Sequence, residues 1–349
     1  MDTKLCQVSK ESLLLAKQLL SEGQVVAFPT ETVYGLGAWA MSPEGVSRIY
    51  EAKGRPSDNP LIVHIAPGFD LEKLQIVSKV PEAAAPLMER FWPGPLTLIM
   101  PKGEKISNRI TGGLDTVAVR MPAHPVALQL IQSTGMPIVA PSANTSGRPS
   151  PTTAVHVWED MNGRIPLILE GGECQVGLES TILDLTGEVP MILRPGAITQ
   201  EMLEEVLPKV AVDPAVAQAK SVGQAVVPKA PGMKYRHYAP KGKLIVTDAD
   251  VVQMRKLLQQ AVAEGHRVGL IATRQLTEEL KDLPVEMLCL GDRTNPEELA
   301  ANLFGALRGA DEKNVTVMYG EALLREGVGE AIMNRFLKAS SEQLWLNKK

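Results

Sequence analysis

A chain of 349 residues that is 44% hydrophobic and 22% charged has the composition of a globular protein and is long enough for two domains rather than one ordinary core. A net charge of −4 and an aromatic content of only 4% argue against a protein that coats nucleic acid through a broad basic face or stacks single strands on aromatic platforms. They leave room for a local basic pocket that takes a small anion.

The apolar spacing over residues 11–20 predicts a helix stopped at Gly23. Val25-Val26-Ala27-Phe28 reads as a buried strand that ends at Pro29, and residues 30–37 as a turn-rich polar segment. Ser42-Pro43-Glu44 opens a helix with an N-cap serine, a first-turn proline and an acid; Val46, Ile49 and Tyr50 give it one apolar face, and it ends at Gly54. Strands are expected over 61–65, 96–100, 116–120, 138–140, 167–170, 181–185 and 191–194, and helices over 81–91, 125–134, 153–160 and 199–207. Their irregular alternation, with long loops, predicts an α/β domain with a twisted mixed sheet rather than a regular doubly wound one.

Residues 208–230 are rich in Val, Ala, Lys, Gln and Pro and read as a linker. The cluster over 230–240, Ala-Pro-Gly-Met-Lys-Tyr-Arg-His-Tyr-Ala-Pro, carries too many aromatic and basic groups for a passive tether. From Lys243 the pattern becomes regular. Strands over 244–247, 268–272, 285–290 and 315–318 alternate with helices over 250–264, 274–281, 294–307 and 329–338, the third opening on a capping box at Thr294-Asn295-Pro296-Glu297. This is the pattern of a Rossmann-like parallel-sheet domain of about a hundred residues. The expected division is 1–207, a linker at 208–242, and 243–349. Cys6, Cys174 and Cys289 are odd in number and far apart, so neither a disulfide framework nor a zinc site is expected. With no signal-like start at Met1 and no apolar run long enough to span a bilayer, a cytoplasmic protein without membrane contact is expected.

Four polar loops carry the candidate chemistry. Lys53-Gly54-Arg55-Pro56-Ser57-Asp58-Asn59-Pro60 sets a point charge and a planar fork one residue apart, a clamp suited to polyphosphate. Taken alone it also fits a solvated surface loop. Thr30 to Gly37 offers hydroxyls and Tyr34 directly after a strand, where open α/β sheets place ligands. Residues 141–151, Pro-Ser-Ala-Asn-Thr-Ser-Gly-Arg-Pro-Ser-Pro, follow another apolar strand with small residues, hydroxyls and backbone N–H groups that suit phosphate oxygens. The fourth is Gly177-Leu178-Glu179-Ser180-Thr181, with Arg194 nearby in sequence. Arg120, at the tip of an apolar strand, is a natural bidentate partner for a carboxylate, though it also reads as a strand-end surface cation. A lone His64 in an apolar strand reads first as a core histidine, although it follows a polar loop. There is no Walker A, HExxH or GxSxG motif, and no spacing that groups a nucleophile with a base.

Several segments resemble the YrdC-like family in its longer two-domain form, the threonylcarbamoyl-AMP synthases. They are Phe28 to Leu36, Lys53-Gly54-Arg55-Pro56, Asn59-Pro60-Leu61, Trp92-Pro93-Gly94-Pro95-Leu96-Thr97, Val119-Arg120-Met121-Pro122, Pro141-Ser142-Ala143-Asn144, Ser180-Thr181 and the linker cluster from Pro231 to Pro240. The resemblance implies that L-threonine, bicarbonate and ATP, with Mg2+ accompanying the ATP, give threonylcarbamoyl-adenylate and pyrophosphate. A separate transferase complex would then carry the threonylcarbamoyl group to a tRNA adenosine beside the anticodon. Lys53, Arg55, Ser142 and Asn144 would serve the chemistry. Lys53, Arg55, Asn59, Thr116, Ser142, Ser150, Arg194 and Tyr238 would contact ATP. Thr32, His64, Arg120 and Ser180, with the backbone at Ala140, would hold threonine, and the linker would act as a lid. No residue is assigned to a metal. The resemblance also keeps open contact with tRNA or double-stranded RNA, since related domains bind RNA. A carbamoyl-phosphate chemistry would need segments this chain lacks.

Overall fold

The computed structural model describes residues 1–217, 229 and 238–347. The expected linker and lid therefore lie largely outside the described residues, including all of the basic and aromatic cluster before Tyr238.

The first sheet contains β1 (Lys4–Gln7), β2 (Val26–Phe28), β3 (Gly35–Trp39), β4 (Ile62–His64), β5 (Leu96–Pro101), β6 (Thr116–Arg120), β7 (Ile138–Ala140), β8 (Leu167–Glu170), β9 (Thr181–Asp184), β10 (Met191–Arg194) and β11 (Ala211–Val212). Their order is β1-β8-β2-β3-β7-β4-β6-β5-β9-β10-β11. Parallel pairs such as β4–β6 stand beside antiparallel ones such as β2–β3 and β5–β6, so the sheet is mixed, as the irregular alternation implied. The register decides what meets at the strand ends. His64 lies beside Arg120 on one side and Ile138 on the other, and Ala140 faces Ile62.

The second sheet holds β12 (Lys243–Thr247), β13 (Val268–Ala272), β14 (Glu286–Cys289), β15 (Val317–Glu321) and β16 (Glu342–Leu344) in the order β14-β13-β15-β12-β16. Every pair is parallel. Helices Val251–Ala263 and Arg274–Glu279 cover one face and helices Pro296–Glu312 and Val328–Ala339 the other. The latter layer also takes in Val33 and Leu178 of the first unit, with Tyr238, so the two units share one apolar cluster.

Several expectations need correcting. Residues 35–39 form strand β3 rather than a turn. Gly35 and Gly37, expected in a turn-rich segment, lie under the Phe28 ring: a Cβ on Gly37 would stand 2.7 Å from Phe28 Cε1 and 2.8 Å from Ile138 Cγ2. Glycine marks a crowded strand here, where a neighbouring side chain occupies the space above the backbone. The strands β1, β11 and β16 are short edge segments without the apolar alternation that would have announced them. The helix expected over 199–207 spans only Gln200–Glu204. The long helix of the second sheet is capped by Asn295, whose side chain accepts from Glu298 N. Thr294 instead turns its hydroxyl to Asp292. Among the described residues no helix is long and apolar enough to cross a membrane.

Gly37→Ala is expected to lower stability by about 1–3 kcal/mol through overpacking, read as a lower thermal midpoint, with little change at the exposed edge strand β1.

Candidate active site

A partly open cavity, with about 630 Å3 of empty volume including open solvent, lies over the ends of β4, β6, β7 and β10. The loop after β2, the loop after β7, the segment entering β9 and Tyr238 complete its walls.

The loop after β2 is shaped by its own hydroxyl. Thr30 Oγ1 accepts from Thr32 N and Val33 N, both at 3.2 Å, and donates to Val33 O at 2.6 Å. This local turn presents Thr32 to Arg120. The Arg120 guanidinium is 3% exposed. It donates to Gly94 O at 3.2 Å, Thr32 Oγ1 at 2.8 Å and Glu31 Oε1 at 2.6 Å. His64 sits beside it with Nδ1 3.1 Å from Ile62 O. Burial first, and the Arg120 charge second, push the His64 imidazole down to about 3, so it is neutral near pH 7.

The loop after β7 is tied down by Lys53. Its ammonium, 1% exposed, donates to Ser142 O at 2.5 Å, Asn144 O at 2.6 Å and Asn144 Oδ1 at 3.4 Å. Burial, followed by the Arg55 charge, holds Lys53 well below the ordinary lysine range. Ser142 Oγ donates to Asn144 Oδ1 at 2.5 Å, and Asn144 Nδ2 donates to Thr145 O and Arg148 O. At the far end of this loop Ser150 Oγ donates to Glu179 Oε1 at 2.5 Å. Burial works to raise the Glu179 carboxyl, but the charges of Arg335 and Arg194 and the Ser150 hydrogen bond outweigh it and leave the group below its ordinary range. Next to Glu179, Ser180 Oγ accepts from Arg194 Nη2 at 3.1 Å and lies 2.7 Å from Thr97 Oγ1, while Arg194 Nε donates to Ser180 O at 3.0 Å. Burial brings Arg194 down to about 10, still charged near neutrality.

Of the residues singled out in the sequence, Arg55, Ser142, Asn144, Ser150, Arg194, Tyr238, Thr32, His64, Arg120, Ala140 and Ser180 line this one cavity. Lys53 does not: it braces the 142–144 backbone from behind. Thr116 and Asn59 do not line it either. Thr116 opens β6 four residues before Arg120, roughly 13 Å along the strand. The Asn59-Pro60 segment leads into β4 alongside the same end of β6. Asn59 Oδ1 and Thr116 Oγ1 are both buried without a hydrogen-bond partner, so this end of the β4–β6 pair holds two uncompensated acceptors. Tyr238, at φ 66, packs its ring 5.2 Å from Phe304 of the second unit, and Ala239 N donates to Gly147 O at 2.9 Å. Burial pushes its hydroxyl up to about 12.

The cavity also contains Thr30, Val33, Gly35, Ile62, Pro141, Arg148 and Glu179, none of which carried an assigned role. All but Ile62 fall in the polar loops already singled out, so loop membership was their one signal. Arg335 had none: it is fully buried, in an apolar stretch of the last long helix.

Fold and cavity define a two-domain α/β protein whose strand ends gather arginines, hydroxyls and backbone polar groups around an anion-sized space. The comparisons agree with this. Residues 18–196 match the Sua5–YciO–YrdC family, described as telomere recombination, and residues 198–341 match the threonylcarbamoyl-AMP synthase C-terminal domain. Threonylcarbamoyl-AMP synthase of Pyrococcus abyssi is 48% identical over 97% of this chain and 96% of its own. That of Bacillus subtilis is 48% identical over 93% and 92%. The crystal structure of P. abyssi Sua5 complexed with L-threonine superposes with a TM-score of 0.90 at 47% identity, covering 99% of this chain and 100% of that one. The chain belongs to the threonylcarbamoyl-AMP synthase family, in its two-domain form.

The depressed His64 gives a pH signature. Above its unfolded value of 6.5 the imidazole is neutral in both states; as pH falls from there towards about 3 the unfolded chain takes up a proton the folded one refuses, so stability is lost through that window. His156, lowered to about 4 by burial first, adds in the same direction. His64→Gln is expected to flatten part of the fall in thermal midpoint between about pH 7 and pH 4.

Proposed function

We propose that this cavity condenses L-threonine, bicarbonate and ATP into threonylcarbamoyl-AMP and pyrophosphate. The observation that carries the reading is the joining of two anion-recognising halves in one space. Arg120, Thr32, His64 and Ser180 suit an amino acid, and Arg55, Arg194, Ser142 and Ser150 suit a phosphate chain.

The chemistry asks little of the protein beyond placement and charge. The threonine amine adds to the carbon of bicarbonate, or of CO2 derived from it, forming the N–C bond of a carbamate with loss of water overall from bicarbonate. A carbamate oxygen then attacks the α-phosphorus in line; the bond to the β-phosphate bridging oxygen breaks and pyrophosphate leaves. No protein nucleophile is needed. Arg120 has five N–H donors. Those not engaged by Gly94, Thr32 and Glu31 are offered to the threonine carboxylate, and Glu31 keeps the buried guanidinium paired before substrate arrives. Neutral His64 adds no charge beside the amine, which must itself be neutral to attack. Arg55 and Arg194 neutralise phosphate oxygens. Asn59 and Thr116, which the resemblance assigns to ATP, stand at the same end of the β4–β6 pair with their side-chain oxygens buried. Lys53 acts by holding the Ser142–Asn144 backbone in place.

Mg2+ enters as part of the nucleotide substrate. Among the described residues no cluster of three or more His, Cys, Asp or Glu is arranged to hold a metal. The nearby carboxylates Glu31 and Glu179 are each engaged by an arginine. These residues do not fit a protein-held ion. The mixed anhydride product is open to hydrolysis, which is the reason for a closing lid and for delivery to a separate tRNA threonylcarbamoyl transferase complex. The setting is the cytoplasm, and contact with tRNA or double-stranded RNA belongs to that delivery step.

Pyrophosphate release that requires both threonine and bicarbonate, with a nucleotide product of threonylcarbamoyl-adenylate mass, is the expected result. Release indifferent to threonine would end the reading. Arg120→Ala is expected to raise the threonine KM roughly 10- to 100-fold, the loss of one charged hydrogen-bond set, with a smaller effect on the ATP KM. Arg55→Ala should show the reverse preference.

A further inference from the structure

Two fully buried arginines of the second domain reach into the loops of the first. Arg335, on helix Val328–Ala339, donates from Nε to Glu179 Oε2 at 3.1 Å, from Nη1 to Pro195 O at 2.5 Å and from Nη2 to Glu179 O at 3.2 Å. Arg308, on helix Pro296–Glu312, donates to Pro149 O at 2.7 Å and Asp160 Oδ2 at 2.9 Å. Both side chains are 0% exposed. Their targets surround one cavity residue. Arg308 holds the carbonyl just before Ser150, and Arg335 holds Glu179, whose other carboxylate oxygen receives the Ser150 hydroxyl at 2.5 Å. Arg335 also grips the backbone at Pro195 and Glu179, next to Arg194 and Ser180.

A buried ion pair is a poor way to add stability, because desolvation takes back most of the Coulombic gain and apolar packing would do as well. A planar fork that bonds one carboxylate and two carbonyls is a good way to fix geometry. We propose that Arg335 is a positioning residue of the nucleotide half of the cavity: through Glu179 it sets Ser150, and through the 179 and 195 carbonyls it sets Arg194. The second domain is then a working part of the site, although Arg335 itself does not line the cavity. The proposal rests on the functional reading above for the identity of the nucleotide.

The test compares wild type with Arg335→Lys, which keeps the charge beside Glu179 and loses the fork, and with Glu179→Gln. Leu258→Ala, on the far face of the second sheet and fully buried, serves as a purely destabilising control. Arg335→Lys is expected to raise the ATP KM about tenfold or more and to move the threonine KM far less, since displacement of a positioned group by about 1 Å is enough for such a loss. Glu179→Gln should reproduce that split, and the double variant should lose little more than either single one, because the two act in one chain of contacts. Calorimetric affinity for a non-hydrolysable ATP analogue should fall in the same proportion. The proposal is overturned if Arg335→Lys only lowers the thermal midpoint, as Leu258→Ala should, with both KM values and the analogue affinity unchanged. It is also overturned if threonine and ATP are affected alike. A wild type that binds the analogue yet makes no threonylcarbamoyl-adenylate would end the functional reading, and the calorimetric comparison of variants would still decide the role of Arg335.

Discussion

The first domain holds several cations out of water, and an unpaired buried charge costs several kcal/mol. The arrangement of the first domain follows from how each cation is compensated. Lys53 is spread over the carbonyls of Ser142 and Asn144. Arg120 is paired with Glu31 and bonded to Thr32. Arg194 lies on the Ser180 carbonyl and hydroxyl. These partners are backbone groups and side chains of the loops that line the site. Satisfying the cations and shaping the loops are therefore the same set of hydrogen bonds.

That coupling explains why the mixed sheet suits the task. Strands β4 and β6 run parallel and end together, so His64 and Arg120 arrive side by side by register alone, while antiparallel β7 brings Ala140 opposite Ile62. Irregular loops then close over them. A loop so rich in exposed backbone could not be buried without partners, and the cations supply part of that satisfaction. His64 is the exception: it is kept neutral by burial and by the neighbouring Arg120, which limits the positive charge at this end of the cavity.

The second domain contributes through contact as well as through its own sheet. Its helices complete an apolar cluster with Val33, Leu178 and Tyr238. Arg308 and Arg335 cross the junction to bond Pro149, Asp160, Glu179 and Pro195 of the first domain. The linker residue Tyr238 lines the cavity with its ring packed against Phe304.

Much of this was legible in the chain itself. Strands such as β7, β8 and β13 occupy the residues their apolar runs indicated, because a short buried strand needs little beyond continuous hydrophobicity between turn signals. The mixed character of the first sheet and the parallel character of the second followed from how helices and strands alternate. The polar loops stood out because hydroxyls and cations directly after buried strands have few purely structural uses. The sequence alone could not show that Gly35 and Gly37 are strand residues, since the crowding that selects them comes from Phe28 and Ile138 on paired strands. Nor could it show that Lys53 faces backbone carbonyls and stands behind the cavity wall. Local pattern determined most of the elements, because period and turn chemistry act over a few residues, and the family was legible through the resemblance of its loop motifs. The direction each buried charge takes, and the reach of Arg335 across 156 positions of sequence to Glu179, were decided only by the tertiary structure, because the partner that satisfies a buried ion is chosen by proximity in space.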